Sequence, residues 1–274
     1  MIKRAAQENY EAVVNYLDKG GSINTTLLSF IEKYGFEKDF QNVWLCNDGS
    51  NNTLAIIMKH FSNLYIYCEG SVLDIEELGS FVSFIKPEII LGKTDILSGV
   101  SSFVEEMYLE TSTHMVLKTN KMLKPCPMVE KARLDDCKEL AALIFSIPDF
   151  ARFYYSSEEI ERGIRRRMEM GICRYFVFRK NGIIVSQAYT TIESTKYATI
   201  GGVVTRNEYR NQGLASLVVS CICDDILKDN KIPNLFCNNK NAARVYERLG
   251  FVLSGDYAML LNSKYDINRY KHIL

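Results

Sequence analysis

The stretch from Ile200 to Asn238 constrains the chain most. An apolar run, IGGVVT, passes through RNEYRNQG into LASLVVSCICDDIL, and NLFCN follows. Leu214, Leu217, Val218, Cys221 and Ile222 form a helical stripe, so a strand, a helix and a second strand come in succession. Strands joined through a helix run parallel, because a hairpin turn is too short to hold one. The loop YRNQGLAS then stands where the first strand becomes the helix. A helix N-terminus leaves backbone N–H groups unsatisfied, and their dipoles favour an anion. Gly213 has no Cβ to keep a phosphate off the backbone, Ala215 keeps the first turn small, and Arg210 adds a permanent positive charge. A phosphate or pyrophosphate cradle fits these residues; so does a plain strand-to-helix turn.

The neighbouring segments predict the rest of the second half. VEKARLDDCKELAALIFSI reads as a short strand and a helix, with Asp135 or Asp136 as cap and Leu140, Leu143 and Ile144 as its stripe. Ser156 and Glu159 have capping-box spacing for a second helix, which Gly171 is placed to stop. RYFVFRKNGIIVSQAYTTI reads as a hairpin turning at Asn181-Gly182. Gly201-Gly202 inside the next strand predicts a bulge or a close backbone approach. NAARVYERLG reads as a helix and FVLSGDYAMLL as closing strands. The order β-α-α-β-β-β-α-β-α-β gives a mixed α/β sandwich, largely antiparallel with one parallel crossover.

TNKMLKPCPM, with two prolines one residue apart among lysines, reads as a boundary. It divides the chain into an N-terminal α/β domain over 1–118, a linker over 119–127 and a second domain over 128–274. In the first half VVNYL, TTLLSFIEKYGF and IEELGSFVSFI read as helices, and NVWLCN, TLAIIMKHF and LYIYCEG as strands. LGKT at 91–94 is not a phosphate loop, since Pro87 stands where the first glycine is required. IYCEGSVLDIEELGSF faintly echoes LFCNNKNAARVYERLGF, with Ile75 in the place of Tyr246, a hint of duplication.

Composition narrows the function. With 33 basic and 33 acidic side chains the net charge is zero, which gives no electrostatic reason to expect nucleic acid or a membrane surface as partner. There is no signal-like apolar stretch at the start and no long uncharged run to span a bilayer, so the expected compartment is the cytoplasm. The eight cysteines are scattered without a CxxC pair and read as buried thiols, and His60, His114 and His272 lack metal spacing, so no metal is expected.

The second half resembles the GCN5-related N-acetyltransferases. Arg210, Gly213 and Ala215 match their Arg/Gln-x-x-Gly-x-Gly/Ala loop, and NNKNAARVYERLGF is similar to their second cofactor motif through Asn238, Asn241, Ala242, Tyr246 and the Leu249-Gly250-Phe251 ending. The resemblance implies an acyl-CoA N-acyltransferase fold over 128–274, with the first half a degenerate copy that shapes the acceptor cleft. It implies acetyl-CoA as co-substrate and a primary amine as acceptor. The strands at 201–205 and 234–237 are expected to splay. Pantetheine is expected to pair with backbone groups of Val203 and Thr205, and the N–H groups of Asn211, Gln212, Gly213, Leu214, Ala215 and Ser216 to hold the pyrophosphate. An N–H near Val203 or Val204 would stabilise the oxyanion.

Tyr246 is the expected proton donor to the departing thiolate, although Ala242, Val245, Tyr246 and Leu249 also form a core stripe. Asn238 and Asn241 cap the following helix, touch cofactor, or both. Glu193 is the nearest carboxylate for a general base, with an ordered water as the alternative. Arg165, Arg166 and Arg167 form either a solvated helix face or a site for an acidic acceptor. Asn207 stands where the family often has proline, which affects turn stiffness more than chemistry. Two other functions share these features. A non-catalytic acyl-CoA sensor would keep the loop and make Tyr246 structural. An aminoacyl transferase using charged transfer RNA would share the two-half layout but lacks a basic excess.

Overall fold

The structure, a computed structural model, describes residues 1–48, 50, 52–70 and 73–265. The chain forms two compact units. The first is Met1–His114 with Ser254–Lys264, and the second is Met115–Leu253 with Tyr265. The division is therefore not a single cut along the chain, and residues 119–127 fall inside the second unit.

The first unit contains β1 (Ile2–Arg4), α1 (Tyr10–Lys19), α2 (Thr25–Tyr34), β2 (Glu37–Lys38), β3 (Gln41–Asn47), β4 (Thr53–His60), β5 (Asn63–Cys68), α3 (Ile75–Ile85), β6 (Ile89–Gly92) and α4 (Thr94–Val100). Strands β1, β3, β4 and β5 pair antiparallel in that order. Strand β6 then joins β5 in parallel, from Asn63↔Ile89 to Ile66↔Gly92, and Ala258–Leu261 pair antiparallel with its other edge. Residues 91–94, rejected as a phosphate loop, are thus the end of β6 leading into the short α4. Lys93 there is held by Glu69 at 3.8 Å.

Strand β7 (Met107–Leu117) leads the chain into the second unit, which contains β8 (Val129–Lys131), α5 (Cys137–Phe145), α6 (Pro148–Ala151), α7 (Ser157–Glu169), β9 (Tyr175–Lys180), β10 (Ile183–Glu193), β11 (Tyr197–Thr205), α8 (Leu214–Lys228), β12 (Ile232–Cys237) and α9 (Lys240–Arg248). Strand β13 (Phe251–Asn262) begins there and ends in the first unit. The sheet order β12-β11-β10-β9-β8 is antiparallel except for the parallel pair β11–β12. Helix α8 packs Val218, Val219, Ile222 and Ile226 on one face, with Phe176, Phe178, Leu235 and Phe251. On the other face α5 and α7 bring Leu140, Ile144, Ile160 and Ile164 against Val177, Ile184 and Val204. A sheet covered on both faces explains why β10 is buried without a break from Ile184 to Thr190 rather than at alternate positions.

Local chemistry fixes most of these elements as the sequence predicts. Asn181 and Gly182 have φ of 51° and 81°, the two positive values of a type I′ turn. Ser156 accepts from the Glu159 N–H at 3.4 Å, and Gly171, at φ 63°, ends the helix. The expectation that Asp135 or Asp136 caps α5 needs correction. The Asp136 carboxylate instead accepts from the Arg133 N–H at 2.7 Å, closing a 3-10 turn before the helix. The eight cysteines are all free thiols.

The duplication hint also needs a different alignment. In the first unit β4, β5, α3 and β6 follow one another as β10, β11, α8 and β12 do in the second, each with a parallel pair bridged by a helix. IYCEGSVLDIEELGSF therefore corresponds in topology to β11 and α8, not to β12 and α9. The Cys and Leu-Gly letters that suggested otherwise are core positions common to both kinds of segment.

Candidate active site

The parallel pair β11–β12 opens along its length. Its register runs from Tyr197↔Ile232 to Ile200↔Leu235 and stops there, while β11 continues to Thr205 and β12 to Cys237. Buried Asn234 pins the closed end: its amide donates to the Ala198 carbonyl at 3.1 Å and its carbonyl accepts from the Thr199 hydroxyl at 3.0 Å. Beyond it, Gly202 and Val203 together face Ala188 of β10, a bulge in which Gly202 adopts φ 53°. A Cβ on Gly202 would stand 1.8 Å from the Tyr189 ring, so both the conformation and the space demand glycine.

The bulge and the opening leave β11 with an unused edge. The Arg206 N–H donates to the Val185 carbonyl at 2.9 Å, which sets the phase of the β10–β11 ladder. Val204 therefore faces Gln187, and Val203 and Thr205 direct their backbone groups away from β10, toward the opening. Val203 and Thr205 are half-buried and Val204 is buried.

The chain leaves β11 through a 3-10 turn, Asn207–Tyr209, and reaches α8 by way of Arg210, Asn211, Gln212 and Gly213. Asn211 and Gly213 have φ of 61° and 77°, and no side chain among the described residues caps the helix. The N–H groups of Asn211, Gln212, Gly213, Leu214, Ala215 and Ser216 have no hydrogen-bond acceptor among the described residues. A Cβ on Gly213 would meet nothing within 4 Å. Arg210 is exposed, makes no ion pair among the described residues and spends only its Nε, on the Thr205 carbonyl at 3.2 Å. The result is a row of bare donors beside an uncommitted guanidinium at the mouth of the opening.

The equivalent helix of the first unit is built oppositely. Asp74 caps α3, accepting from the Glu76 and Glu77 N–H groups at 3.0 Å each, and both of those residues are acidic. One carboxylate already fills the place an anion would take, and two more guard it.

On the other wall, Tyr246 of α9 is buried against Phe251, with ring centroids 5.9 Å apart. Burial first, and then the thiols of Cys237 and Cys223, push its phenol pKa well above the tyrosine range. Cys237 is the last residue of β12, so the phenol lies beside the splayed end. Its hydroxyl makes no hydrogen bond among the described residues. Asn239, rather than Asn238 or Asn241, caps α9, its carbonyl oxygen accepting from the Asn241 N–H at 2.9 Å and the Ala242 N–H at 3.2 Å. Asn238 and Asn241 are exposed, with uncommitted side chains. The signal for the true cap was in the sequence, since any of the three asparagines fits the role.

Glu193 does not share this neighbourhood. It ends β10 opposite Ala198, four residues and about 13 Å from the bulge along β11. Arg174 binds it through Nε at 2.8 Å and Nη2 at 3.0 Å, Lys231 through Nζ at 2.8 Å and Thr190 through its hydroxyl at 2.9 Å. Burial would raise its pKa, but the hydrogen bonds from Arg174, Lys231 and Thr190 bring it down to about 2. A carboxylate held this way is a poor proton acceptor near neutrality. Arg174 also binds Asp225 and Asp229, an ion network that sequence reading missed because its members lie far apart in the chain.

Residues 172–260 match the family model described as GNAT acetyltransferase. The matched segment runs from just before β9 into β13 and so contains the α8 loop and α9. Solved structures extend the likeness over the chain. An acetyltransferase from the GNAT family of Colwellia psychrerythraea is 13% identical, with a TM-score of 0.59 over 95% of this chain and 98% of its own. A tandem GNAT protein from the clavulanic acid biosynthesis pathway is 11% identical, at 0.56 over 94% and 97%. A Drosophila protein is 10% identical, at 0.67 over 96% and 99%. No curated protein sequence matches this chain. At these identities the solved structures establish the fold, a GNAT acyl-CoA N-acyltransferase architecture in which tandem members occur.

Proposed function

We propose that the protein transfers an acetyl group from acetyl-CoA to a primary amine, with the donor bound in the second unit. The observation that carries the reading is the row of unclaimed N–H groups from Asn211 to Ser216, set at the uncapped start of α8 where β11 and β12 part. Such a row suits a pyrophosphate, and Arg210 adds charge to it. The free edge at Val203 and Thr205 suits the two amides of pantetheine, which would add to β11 as a strand does. Exposed Asn238 and Asn241 offer polar contacts from the opposite wall. The acidic cap of α3 argues against a second pyrophosphate in the first unit.

In the reaction the neutral amine attacks the thioester carbonyl. The carbon–nitrogen bond forms, the carbon–sulfur bond breaks, and the backbone N–H of Val203, which faces the opening, stabilises the oxyanion between the two events. The sulfur leaves as thiolate and takes a proton from Tyr246, whose hydroxyl has no other partner to satisfy. The buried phenol holds its proton tightly, so donation is uphill and requires the sulfur to arrive within hydrogen-bond distance. Glu193 has no part in proton transfer, and the amine loses its proton to water.

Burial of Tyr246 also favours a second reading, an acyl-CoA sensor in which this residue is only core. Calorimetric titration with acetyl-CoA, beside a Gly213→Trp control, tests the common ground. Micromolar binding that the control abolishes is expected, and an unaffected control would remove the loop from the site. Release of CoA with an amine panel then separates enzyme from sensor.

A further inference from the structure

Of the arginines 165–167, only Arg167 turns onto the sheet. Arg165 pairs with Glu161 at 3.4 Å and Arg166 is exposed. The Arg167 Nη2 donates to the Tyr175 hydroxyl at 2.9 Å and its Nε to the Gly163 carbonyl at 3.3 Å. Its guanidinium carbon lies 5.3 Å from the Tyr189 ring centroid and 6.0 Å from that of Tyr175. Those two buried rings stack with centroids 4.7 Å apart. An arginine in such surroundings ordinarily has a carboxylate to balance it. In the same unit Arg174, Arg179 and Arg206 each have at least one. Arg167 makes no ion pair among the described residues. The guanidinium also bonds the Tyr189 hydroxyl, which still leaves it N–H groups to spare, and the Tyr175 hydroxyl, already an acceptor, still has its proton to donate.

A second observation lies on the same face of β10. Gln187, opposite Val177 and Val204 and two residues from Tyr189, is 0% exposed, yet among the described residues neither its amide nitrogen nor its amide oxygen has a partner. An amide buried in this way awaits a polar group that the protein does not supply. The Tyr189 ring in turn lies against the backbone of Gly202, the bulge from which the opening between β11 and β12 begins. The aromatic cluster thus separates an unbalanced cation from the expected position of the reacting carbonyl by the thickness of one ring.

We propose that Arg167, Tyr175 and Gln187 form an anion subsite for the acceptor, so that the preferred amine also carries a carboxylate, as an amino acid does. The proposal rests on the acetyl-transfer reading for the place of the amine, while carboxylate recognition is measurable without turnover. The remaining N–H groups of Arg167 and the Tyr175 hydroxyl would take the two carboxylate oxygens, and Gln187 a further polar group of the same molecule. The stacked tyrosines would pack on its carbon chain.

The test is calorimetric titration of the full chain, saturated with CoA, using the free amino acids and, beside each, its α-carboxamide. At least one amino acid is expected to bind ten-fold or more tighter than its carboxamide. Arg167→Met should erase that preference, Arg167→Lys should restore part of it, and Tyr175→Phe, which keeps the ring packing, should weaken it several-fold. Absence of binding by every amino acid, equal binding of the paired amides, or a preference that survives Arg167→Met would overturn the proposal. Release of CoA from acetyl-CoA, followed separately with the same compounds, reports on the transfer reading. Carboxylate preference without CoA release would end that reading and leave the subsite standing.

Discussion

Glu193→Gln separates a structural carboxylate from a catalytic one. The folded protein holds this group at about 2, against an ordinary value of 4.5. At about 1.36 kcal/mol per pH unit, that displacement is worth roughly 3 kcal/mol of stability near neutrality. Little discount for solvent applies, because the side chains of Glu193 and Arg174 are only 12% and 15% exposed. Glutamine keeps the shape and one acceptor oxygen, Arg174 keeps Asp225 and Asp229, and Lys231, which loses its carboxylate, is 22% exposed and open to water. A loss of about 2–3 kcal/mol is expected, most of the full value. Its pH dependence has a definite sign. A depressed folded pKa contributes fully above 4.5 and loses that contribution as the pH falls toward 2. Urea unfolding of both proteins at pH 7, 5, 4 and 3 should therefore show a gap that is constant at the first two values and shrinks at the last two. Acetyl transfer at pH 7 should remain within about threefold of the parent, whereas removal of a general base costs about 10²–10⁴. A gap that persists unchanged at pH 3 would refute the ion-pair account, and a hundredfold loss of turnover would return Glu193 to the catalytic site.

Three further outcomes follow from the same geometry. Gly213→Ala and Gly171→Ala impose similar strain, at φ 77° and 63° with open space around each Cβ, and each should cost about 1–2 kcal/mol of stability by chemical denaturation. Only the former should weaken acetyl-CoA, by tenfold or more, and equal affinities would remove the phosphate from α8. Tyr246→Phe should leave acetyl-CoA affinity within about twofold and lower turnover by about 10²–10⁴ if the phenol is the proton donor; full turnover measured by thiol release would make it core alone. Asp74→Ala should cost about 1 kcal/mol as a lost helix cap and leave acetyl-CoA binding unchanged, since a shift in affinity would put the donor in the first unit.

What the sequence revealed and what it hid follow from the range of the interactions. Asn181-Gly182, Gly171 and Gly202 carry their meaning in their own φ, so the turn, the helix stop and the bulge were legible from single letters. The α8 loop was legible for the same reason, since a strand, a positive-φ glycine and a long helix lie within one short stretch. Glu193 misled because its partners are remote: Arg174 is 19 positions away and Lys231 is 38. Only folding brings those cations onto the carboxylate, and they turn a nominal base into one held near 2. Arg167 was ambiguous for a related reason, because a helix of alternating charge gives no sign of which arginine faces the sheet until Tyr175 and Tyr189 arrive on other strands.

Helices α3 and α8 turn this limit into an argument. They occupy the same position in two copies of one supersecondary arrangement, each following a strand that pairs in parallel with the next. Backbone geometry therefore offers both an anion site, and residue chemistry at the N-terminus decides between them. Asp74, Glu76 and Glu77 close one, satisfying its first-turn N–H groups with a carboxylate and surrounding them with negative charge. Gly213, Leu214, Ala215 and Ser216 leave the other bare, with Arg210 beside it. An acid at the cap is the commonest way to stabilise a helix start and a glycine a weaker one. By capping preference alone the α8 end has given up stability relative to α3, and a bound anion would restore it. Acetyl-CoA should on that account stabilise the second unit by more than mutation of any one contact removes, and hydrogen exchange at Asn211–Ser216 is where its protection should be largest.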